Sequence, residues 1–417
     1  MKGFGLFVKT LAANTARLNS LDSHTGRLTL VLGNESADLD SMVSSLALAY
    51  ALSPTISAPP IPIINTNRSD MTLRPESTLL LRTTLQANDS GIDALTFIDD
   101  FDLTRVVSYG RKHGLDVWLV DHNAPASRQT ELEPFVRGIV DHHVDENRCP
   151  QAERQIELVG SCATLVAERL RNTLGSVEPE LAKMLVAPIL IDTSELSSTA
   201  RRATDKDIEM VSWLVPQVEW AWPSANPVST DSAVADQESS DEVESLDHVS
   251  STHELYKILD KLKGKVSHLS ARDLLRKDYK QWTVGSPAWT VGISSISYRL
   301  QKWIKRDSRK QIKKAVEKWV DEQKLDVALV MTHGKAKQGK GGVKVYGRDL
   351  IVAFGQSVNE EQQRRVLDGL QRSELLGLEP FFEDQDTGPV FFNQTRTESS
   401  RKQVFPAIKA VIESLSI

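Results

Sequence analysis

Apolar residues in the first half of this chain come in short, β-rich runs separated by stretches with helical spacing. Leu28–Gly33 (LTLVLG) predicts a strand, and Ser41–Leu52 the helix after it. Further strands are expected at Ile61–Asn65, Leu95–Ile98, Asp116–Val120 and Gly138–Val140, all too apolar to be half exposed. Helical patterns follow at Leu103–His113, Ala163–Leu174, Pro179–Leu190 and Ala203–Leu214. Upstream, Phe4, Leu6, Phe7, Leu11 and Leu18 outline an amphipathic helix packed on the first strand. Strand–helix alternation implies an α/β fold, a mostly parallel sheet flanked by helices. Such sheets bind ligands at the carboxyl ends of their strands, so chemistry is to be sought immediately after each strand.

Near Pro223 this pattern stops. From Val228 to Ser250 the chain is rich in Ser, with seven acids (Asp231, Asp236, Glu238, Asp241, Glu242, Glu244, Asp247) and no Lys or Arg. It cannot bury a core and reads as an acidic flexible linker over 223–250. The linker separates an N-terminal domain, 1–222, from a smaller mixed α/β domain, 251–417. In the latter, helices are expected at His253–Leu262 and Tyr298–Gln323, with strands at Thr290–Ile296, Val327–Thr332 and Asp349–Phe354. Internal repeats are not found.

Composition sharpens this outline in three places. At 417 residues, 40% hydrophobic and 25% charged, the chain can bury a core in each domain, which excludes wholesale disorder. No apolar run approaches the roughly 18–20 residues of a bilayer span, so no membrane partner is expected. Two cysteines, Cys149 and Cys162, make no disulfide framework and suit a reducing, cytoplasmic setting. Lys2, Lys9 and Arg17, with no acid before Asp22, also have the composition of a weak mitochondrial presequence; the packed helix is the plainer reading. The net charge of −6 conceals an asymmetry, since residues 1–250 carry 20 Lys/Arg against 36 Asp/Glu and residues 251–417 carry 30 against 20. An acidic half beside a basic half fits carboxylates that hold metals and cations that grip a polyanion. For most of the lysines, a solvated helix face is explanation enough.

Four strand ends deliver residues suited to metals. Asn34-Glu35-Ser36-Ala37-Asp38-Leu39-Asp40 follows the first strand, Asp121-His122-Asn123 follows Asp116–Val120, Asp141-His142-His143 follows Gly138–Val140, and Asp192 follows the apolar run Leu185–Ile191. Aspartate and histidine are ligands for Mn²⁺, Mg²⁺, Co²⁺ or Zn²⁺. One such Asp alone is more often a helix cap or turn residue; four at the same place in a βα pattern are harder to dismiss.

The string Gly33-Asn34-Glu35-Ser36-Ala37-Asp38-Leu39-Asp40-Ser41, then Val120-Asp121-His122-Asn123, Val140-Asp141-His142-His143 and Asp192, resembles the four ordered motifs of the DHH phosphoesterases. Asp278-Tyr279-Lys280 and Ser400-Arg401-Lys402-Gln403 resemble the phosphate-binding motifs of the second DHH-associated domain, so the resemblance covers nearly the whole chain. It implies two divalent metal ions per chain, Mg²⁺ or Mn²⁺ first and Co²⁺ or Zn²⁺ as alternatives. Asp121 would bridge them, Asp38 would hold the first, and Asp40, His142 and Asp192 the second. His143 would sit on the phosphate or the attacking water, with Asp141 orienting the histidine pair. Catalytic roles fall to Asp121, His143 and Asn34; substrate contacts to His122, Asn123, His143, Lys280, Arg401 and Lys402. Two such metals activate water and cancel charge on the attacked phosphoryl group, while Lys and Arg stabilise the departing phosphate. A site split between domains predicts closure on substrate.

The wording G-N-E-S-A-D-x-D-S resembles fungal exopolyphosphatases most closely, which implies release of orthophosphate from the ends of inorganic polyphosphate by a monomer, with no nucleic acid as partner. Family II pyrophosphatases carry histidine where Asn34 stands, and Asn is the weaker ligand, so the first metal is expected to be held loosely. Inorganic pyrophosphate and cyclic nucleotides are the alternative substrates; the paired histidines weigh against a prune-type phosphodiesterase. From another class, a catalytically weak scaffold is the rival, and the intact carboxylate set counts against it. A RecJ-like nuclease fits less well, because Gly341-Gly342 is followed by Val343 and not by histidine.

Three other features have plain readings. Gly334-Lys335-Ala336-Lys337-Gln338-Gly339-Lys340-Gly341 nearly spells a P-loop, but Gly341 stands where Ser or Thr is needed, so a flexible basic loop is expected, its lysines at most touching a long polyphosphate. Arg68 and Arg74 flank a loop that either binds phosphate or pairs with Asp70 or Glu76. Cys162 opens a helix, where small residues pack closely.

Overall fold

Strand β1 (Leu28–Leu32) forms because five consecutive apolar or β-branched residues have no polar face to expose, and all five are buried. That burial needs cover on both sides, and the computed structural model supplies it. It describes residues 3–415 apart from 24, 55, 57–58, 86–90, 201, 222–245, 339–341 and 384–387. The chain divides into two units, Met1–Lys263 and Gly264–Ile417.

In the first unit β1 is joined by β2 (Ile61–Ile64), β3 (Thr96–Phe97), β4 (Leu115–Val120), β5 (Val136–Asp141) and β6 (Glu153–Ile156) in the order β3-β2-β1-β4-β5-β6. Every pairing is parallel. Among the described residues, the α-helices of this unit are α1 (Phe4–Asn19), α2 (Leu39–Leu52), α3 (Pro75–Thr84), α4 (Leu103–His113), α5 (Cys162–Leu174), α6 (Pro179–Asp192), α7 (Asp205–Leu214) and α8 (Thr252–Lys263). Side chains from α1, α2, α3, α5, α6, α7 and α8 make one core; α4 and the opposite sheet face make a second.

Two expectations need correction here. Helix α1 packs against Tyr50 of α2 through Phe4 and Phe7, and its inward face uses Val8 while Leu6 is exposed. The expectation had it on the first strand with Leu6 inward. Helix α8, assigned from sequence to the second domain, instead buries Leu255 and Leu259 in the first unit, so the boundary falls after Lys263. Most of the acidic stretch 223–250 lies outside the described residues.

The second unit holds a mixed sheet in the order β11-β12-β10-β9-β8-β7. Its strands are β7 (Tyr279–Val284), β8 (Trp289–Ile296), β9 (Val327–Gln338), β10 (Val343–Phe354), β11 (Leu378–Pro380) and β12 (Val390–Gln394). Its helices are α9 (Ala271–Lys277), α10 (Leu300–Gln323), α11 (Glu360–Gln371) and α12 (Arg401–Leu415). The stretch expected as a flexible basic loop is mostly strand: β9 runs on to Gln338 and β10 starts at Val343, leaving 339–341 outside the described residues.

Candidate metal centre

Three neighbouring strands of the first sheet end at one place. Because β1, β4 and β5 are parallel and adjacent, the segments 34–40, 121–123 and 141–143 leave the same sheet edge. Asp192 reaches the cluster differently: it is the last residue of α6, a helix C-terminus where a strand end was expected.

The loop after β1 is tightly held. Gly33 leaves no room for a side chain, since a Cβ there would stand 2.6 Å from Ser41 Oγ. The Asn34 amide N–H donates to Ser41 Oγ at 2.7 Å, and the buried Arg74 guanidinium donates to the Ser36 carbonyl at 2.7 Å and the Asp70 carbonyl at 3.0 Å. Arg74 is therefore a brace for this loop, and Arg68 pairs with Asp100. Asp38 caps α2, accepting from the Ser41 N–H at 3.1 Å.

Asp40 is buried and fully engaged: Oδ2 accepts from the Cys162 N–H at 2.7 Å, and Oδ1 from the Ala163 N–H at 2.8 Å and Ser44 Oγ at 3.2 Å. The N-terminus of α5 thus points its free N–H groups and positive dipole end at this carboxylate. Cys162 itself donates Sγ–H to the Val140 carbonyl, and burial raises its thiol well above the usual range, so it is a packing residue.

Asp121 has φ of 64°, a left-handed conformation that turns the chain sharply at the end of β4. Its carboxylate meets His142 Nε2 at 3.3 Å, His143 Nδ1 at 3.8 Å and Asn34 Nδ2 at 2.5 Å. His142 Nε2 also lies 3.9 Å from Asp40. One ligand atom each from Asp121, His142 and His143 falls within 4.8 Å of the others.

The proton positions in this cluster follow from its partners. His142 Nδ1 lies 3.0 Å from the Val159 carbonyl, which can only accept, so Nδ1 carries the proton. Nε2 then faces the carboxylates of Asp121 and Asp40, where it donates as an imidazolium or, in the neutral ring, offers a lone pair to a cation held between them. The carboxylates tell the same story. Asp121 is raised well above the carboxylate range by burial, then by Asp40 and Asp38, against a hydrogen bond from His142. Asp40 is raised by burial, opposed by His142 and reinforced by Asp38. Asp192 is pushed up to about 7 by desolvation, opposed by Lys263 and reinforced by Asp40 and Asp38. Carboxylates raised by burial and by one another form a donor set that a divalent cation fits.

Around the cluster, Asp141 is fully buried and held low by hydrogen bonds from His143 and Asn123 overcoming its burial. Its Oδ1 lies 2.7 Å from His143 Nδ1, and its Oδ2 accepts from Asn123 Nδ2 at 2.6 Å.

Three of the expected site residues have bonding partners within the protein. Asn123, expected against substrate, is buried and spends its polar atoms on Asp141, the Val144 carbonyl and the Glu146 N–H. His122 turns Nδ1 to the Val120 carbonyl at 3.0 Å. Asn34, expected to offer a carbonyl oxygen to a metal, turns Oδ1 to the N–H groups of Ser36 and Ala37 and its NH₂ to Asp121. Sequence reading placed a helix start at Cys162 without linking it to Asp40, and it missed Lys263, whose ammonium lies 3.6 Å from Asp192. No spacing links either to the motifs.

In the second unit Asp278 and Arg401, far apart in sequence, form an ion pair at 2.7 Å, with Arg401 at the start of α12. Lys280 follows on β7, partly exposed, and Lys402 is exposed. The two motifs are thereby brought to one place in that unit.

Comparison with known proteins bears on both units. A model of the DHH family N-terminal domain matches residues 29–190, and a model of the DHHA2 domain matches residues 257–411. The Bos taurus protein Exopolyphosphatase PRUNE1 is 32% identical over 281 residues, 66% of this chain and 54% of that protein. The chain thus matches about half the length of that relative, and the histidine pair does not keep it from doing so. A Schizosaccharomyces pombe protein provisionally designated an exopolyphosphatase is 28% identical over 98% of this chain and 96% of its own length. A solved Methanococcus jannaschii structure, provisionally designated a family II inorganic pyrophosphatase, superposes with TM-score 0.59 at 19% identity, covering 92% of this chain and 99% of that one. That likeness is one of fold.

Proposed function

The chain belongs to the DHH family, with a DHHA2 domain as its second unit, and from that premise we propose that it is a metal-dependent exopolyphosphatase that releases orthophosphate from the ends of inorganic polyphosphate. The observation that carries the reading is the cluster of Asp40, Asp121 and His142, in which an imidazole nitrogen and two buried carboxylates converge. Asp38, Asp40, Asp121, His142 and Asp192 would hold divalent ions, Mn²⁺ or Mg²⁺ first. Bound there, such ions act as Lewis acids and make water a nucleophile at neutral pH.

The chain's own residues have distinct tasks. Asp141 fixes the His143 ring through Nδ1, which leaves His143 Nε2 as the atom able to take or give a proton. Asn34 donates to Asp121 and holds that carboxylate in one orientation. Lys280, Arg401 and Lys402 would bind phosphoryl oxygens, with Arg401 offering a planar fork fixed by Asp278. Attack at the terminal phosphorus breaks the bridging P–O bond and leaves a chain one phosphate shorter, already a stable anion, so no strong general acid is required. The names of the PRUNE1 and S. pombe relatives support this substrate.

The test is phosphate release from long polyphosphate, tripolyphosphate, pyrophosphate and cyclic AMP in Mg²⁺, Mn²⁺ and Co²⁺, before and after EDTA. Polyphosphate is expected to turn over fastest and to lose activity on chelation. Turnover unchanged in excess EDTA would refute the metal reading, and preference for pyrophosphate or cyclic AMP would move the chain to the alternative substrates.

A further inference from the structure

The β9–β10 hairpin has two chemically distinct faces. Val327–Gln338 pairs with Val343–Phe354 in continuous antiparallel register, with Gly334 opposite Gly347, His333 opposite Arg348 and Lys335 opposite Tyr346. Side chains alternate between faces, so directly paired residues share one. On the first face Arg299 lies across the strands. A Cβ on Gly347 would stand 2.1 Å from Arg299 Nη1, and the guanidinium goes on to bond Asp349 at 2.9 and 3.0 Å, with Thr332 Oγ1 donating to the same carboxylate at 2.9 Å. This buried pair clamps the hairpin base to the start of α10.

The opposite face carries His333, Lys335, Lys344, Tyr346 and Arg348. Arg348 is buried; its guanidinium lies 5.7 Å from the Tyr346 ring, and the His333 ring lies 6.3 Å from it. Lys335 and Lys344 are exposed, and among the described residues neither has a carboxylate partner. Same-face residues on one strand are about 6.6 Å apart, so Arg348 to Lys344 spans roughly 13 Å.

This strip is continuous with the phosphate motif of the same unit. Arg348 Nε donates to the Thr397 carbonyl at 2.7 Å. Thr397 lies in the turn leading to Ser400-Arg401-Lys402, which Gln394 ties down through the Arg396 and Ser399 carbonyls at 3.0 and 2.6 Å. We propose that this hairpin face is a docking track for the body of a polyphosphate chain, beyond the phosphates held by Lys280, Arg401 and Lys402. The proposal rests on the exopolyphosphatase reading and adds chain-length selection to it. The face favours a bare polyanion over a single-stranded nucleic acid, because it offers one tyrosine, flanked by Arg348 and His333, where stacking platforms present successive aromatics.

The experiment uses the full chain and the variant Lys335→Ala/Lys344→Ala, with Lys335→Arg/Lys344→Arg as the charge-retaining control. Neither lysine touches the proposed catalytic or phosphate-gripping residues. KM for long polyphosphate is expected to rise about tenfold, each lost exposed ion pair contributing about threefold, with kcat unchanged. Tripolyphosphate, too short to reach the track, should keep its kcat/KM, and the arginine control should restore the long-chain KM. Fluorescence anisotropy of labelled long polyphosphate in EDTA reads the track without turnover, and there the log–log salt dependence should flatten by between one and two. Failure of wild type to hydrolyse polyphosphate sinks the enzymatic reading, while the anisotropy comparison still judges the track. Long-chain binding that is unchanged in the alanine variant, equal losses on tripolyphosphate, or a loss confined to an oligothymidylate of matched charge would each overturn the track.

Discussion

Asp192→Asn separates the proposed metal function from the stability of the fold, and the two should move in opposite directions. Asp192 closes α6, with a quarter of its side chain still exposed, and its carboxyl is pushed from an ordinary 3.8 to about 7. A group raised in this way contributes stability that is fully present below its unfolded value and is lost as pH rises through its folded value. The window here runs from about pH 4 to about pH 7. A rise of about three units corresponds to roughly 4 kcal/mol at 1.4 kcal/mol per unit. The attraction of Lys263 is already contained in that figure, since it pulls the value down. Water reaching the carboxylate on relaxation makes 4 kcal/mol a ceiling, so a gain of about 2–4 kcal/mol is expected for the asparagine variant at pH 8 in EDTA. At pH 4 the two proteins should be nearly equal. Mn²⁺ changes the comparison, because a cation that binds the folded state a thousandfold above its dissociation constant adds about 4.1 kcal/mol. The wild type should gain most of that and the variant, lacking one carboxylate, much less. Urea unfolding at pH 4 and pH 8, with EDTA and with Mn²⁺, measures all four corners. A variant no more stable than wild type in EDTA at pH 8, or a gap that Mn²⁺ leaves untouched, would refute the idea that unbalanced carboxylates load this site.

Three other substitutions probe separate links. Asp121→Asn should reduce polyphosphate hydrolysis by at least about a thousandfold, as expected for the loss of a ligand shared by the metals, with unchanged far-UV circular dichroism; retained turnover would remove Asp121 from the centre. Asn123→Ala should lower kcat about 10–100-fold with little change in KM, because Asp141 would lose the donor that positions it behind His143; a rise in KM alone would instead return Asn123 to the substrate. Gly347→Ala should destabilise the second unit by about 3–5 kcal/mol by displacing Arg299 from buried Asp349, seen as an earlier unfolding step with the first unit's transition unmoved; Gly347→Ala unfolding like wild type would mean that Arg299 is free to shift.

Much of the first unit was legible because its elements depend on local pattern. The strand β1 and helix α4 carry unambiguous apolar runs and spacing, and a parallel sheet needs no register detail to place its carboxyl edge. Strand β6 was not legible, because Glu153–Ile156 is mostly polar and reads as strand only through its pairing with β5. The second unit was harder for a similar reason: β7 contains Lys280 and Gln281, and β12 ends in Asn393 and Gln394, so period-two patterning is blurred. The hairpin arm was read as loop because its lysines and glycines have low strand propensity. The ladder forms there because Arg299 and Asp349 hold its base, a contact between residues 50 positions apart. Helix α8 went to the wrong unit because an amphipathic helix announces that it has a buried face without saying which core receives it.

The candidate site shows the same limit at the scale of single atoms. Its acidic and imidazole side chains were readable from their place after strands, but their orientations were not. Asn34 illustrates why. From sequence it is a poor substitute for an imidazole ligand, because its amide oxygen is a weaker donor. In the fold that oxygen accepts from two backbone N–H groups of its own turn, which forces the NH₂ toward Asp121. A residue read as a weak ligand is thus a hydrogen-bond donor to the proposed ligand Asp121, and it favours the ionised form of that carboxylate. The α5 N-terminus does the same for Asp40 through two backbone N–H groups. Both stabilise negative charge at the centre before any metal arrives, and the cost of that charge is what Asp192, at about 7, still registers. A centre built this way holds its carboxylates in place by hydrogen bonds from groups that need not touch the metal, so its affinity for metal should depend on Asn34 as well as on the proposed ligands themselves.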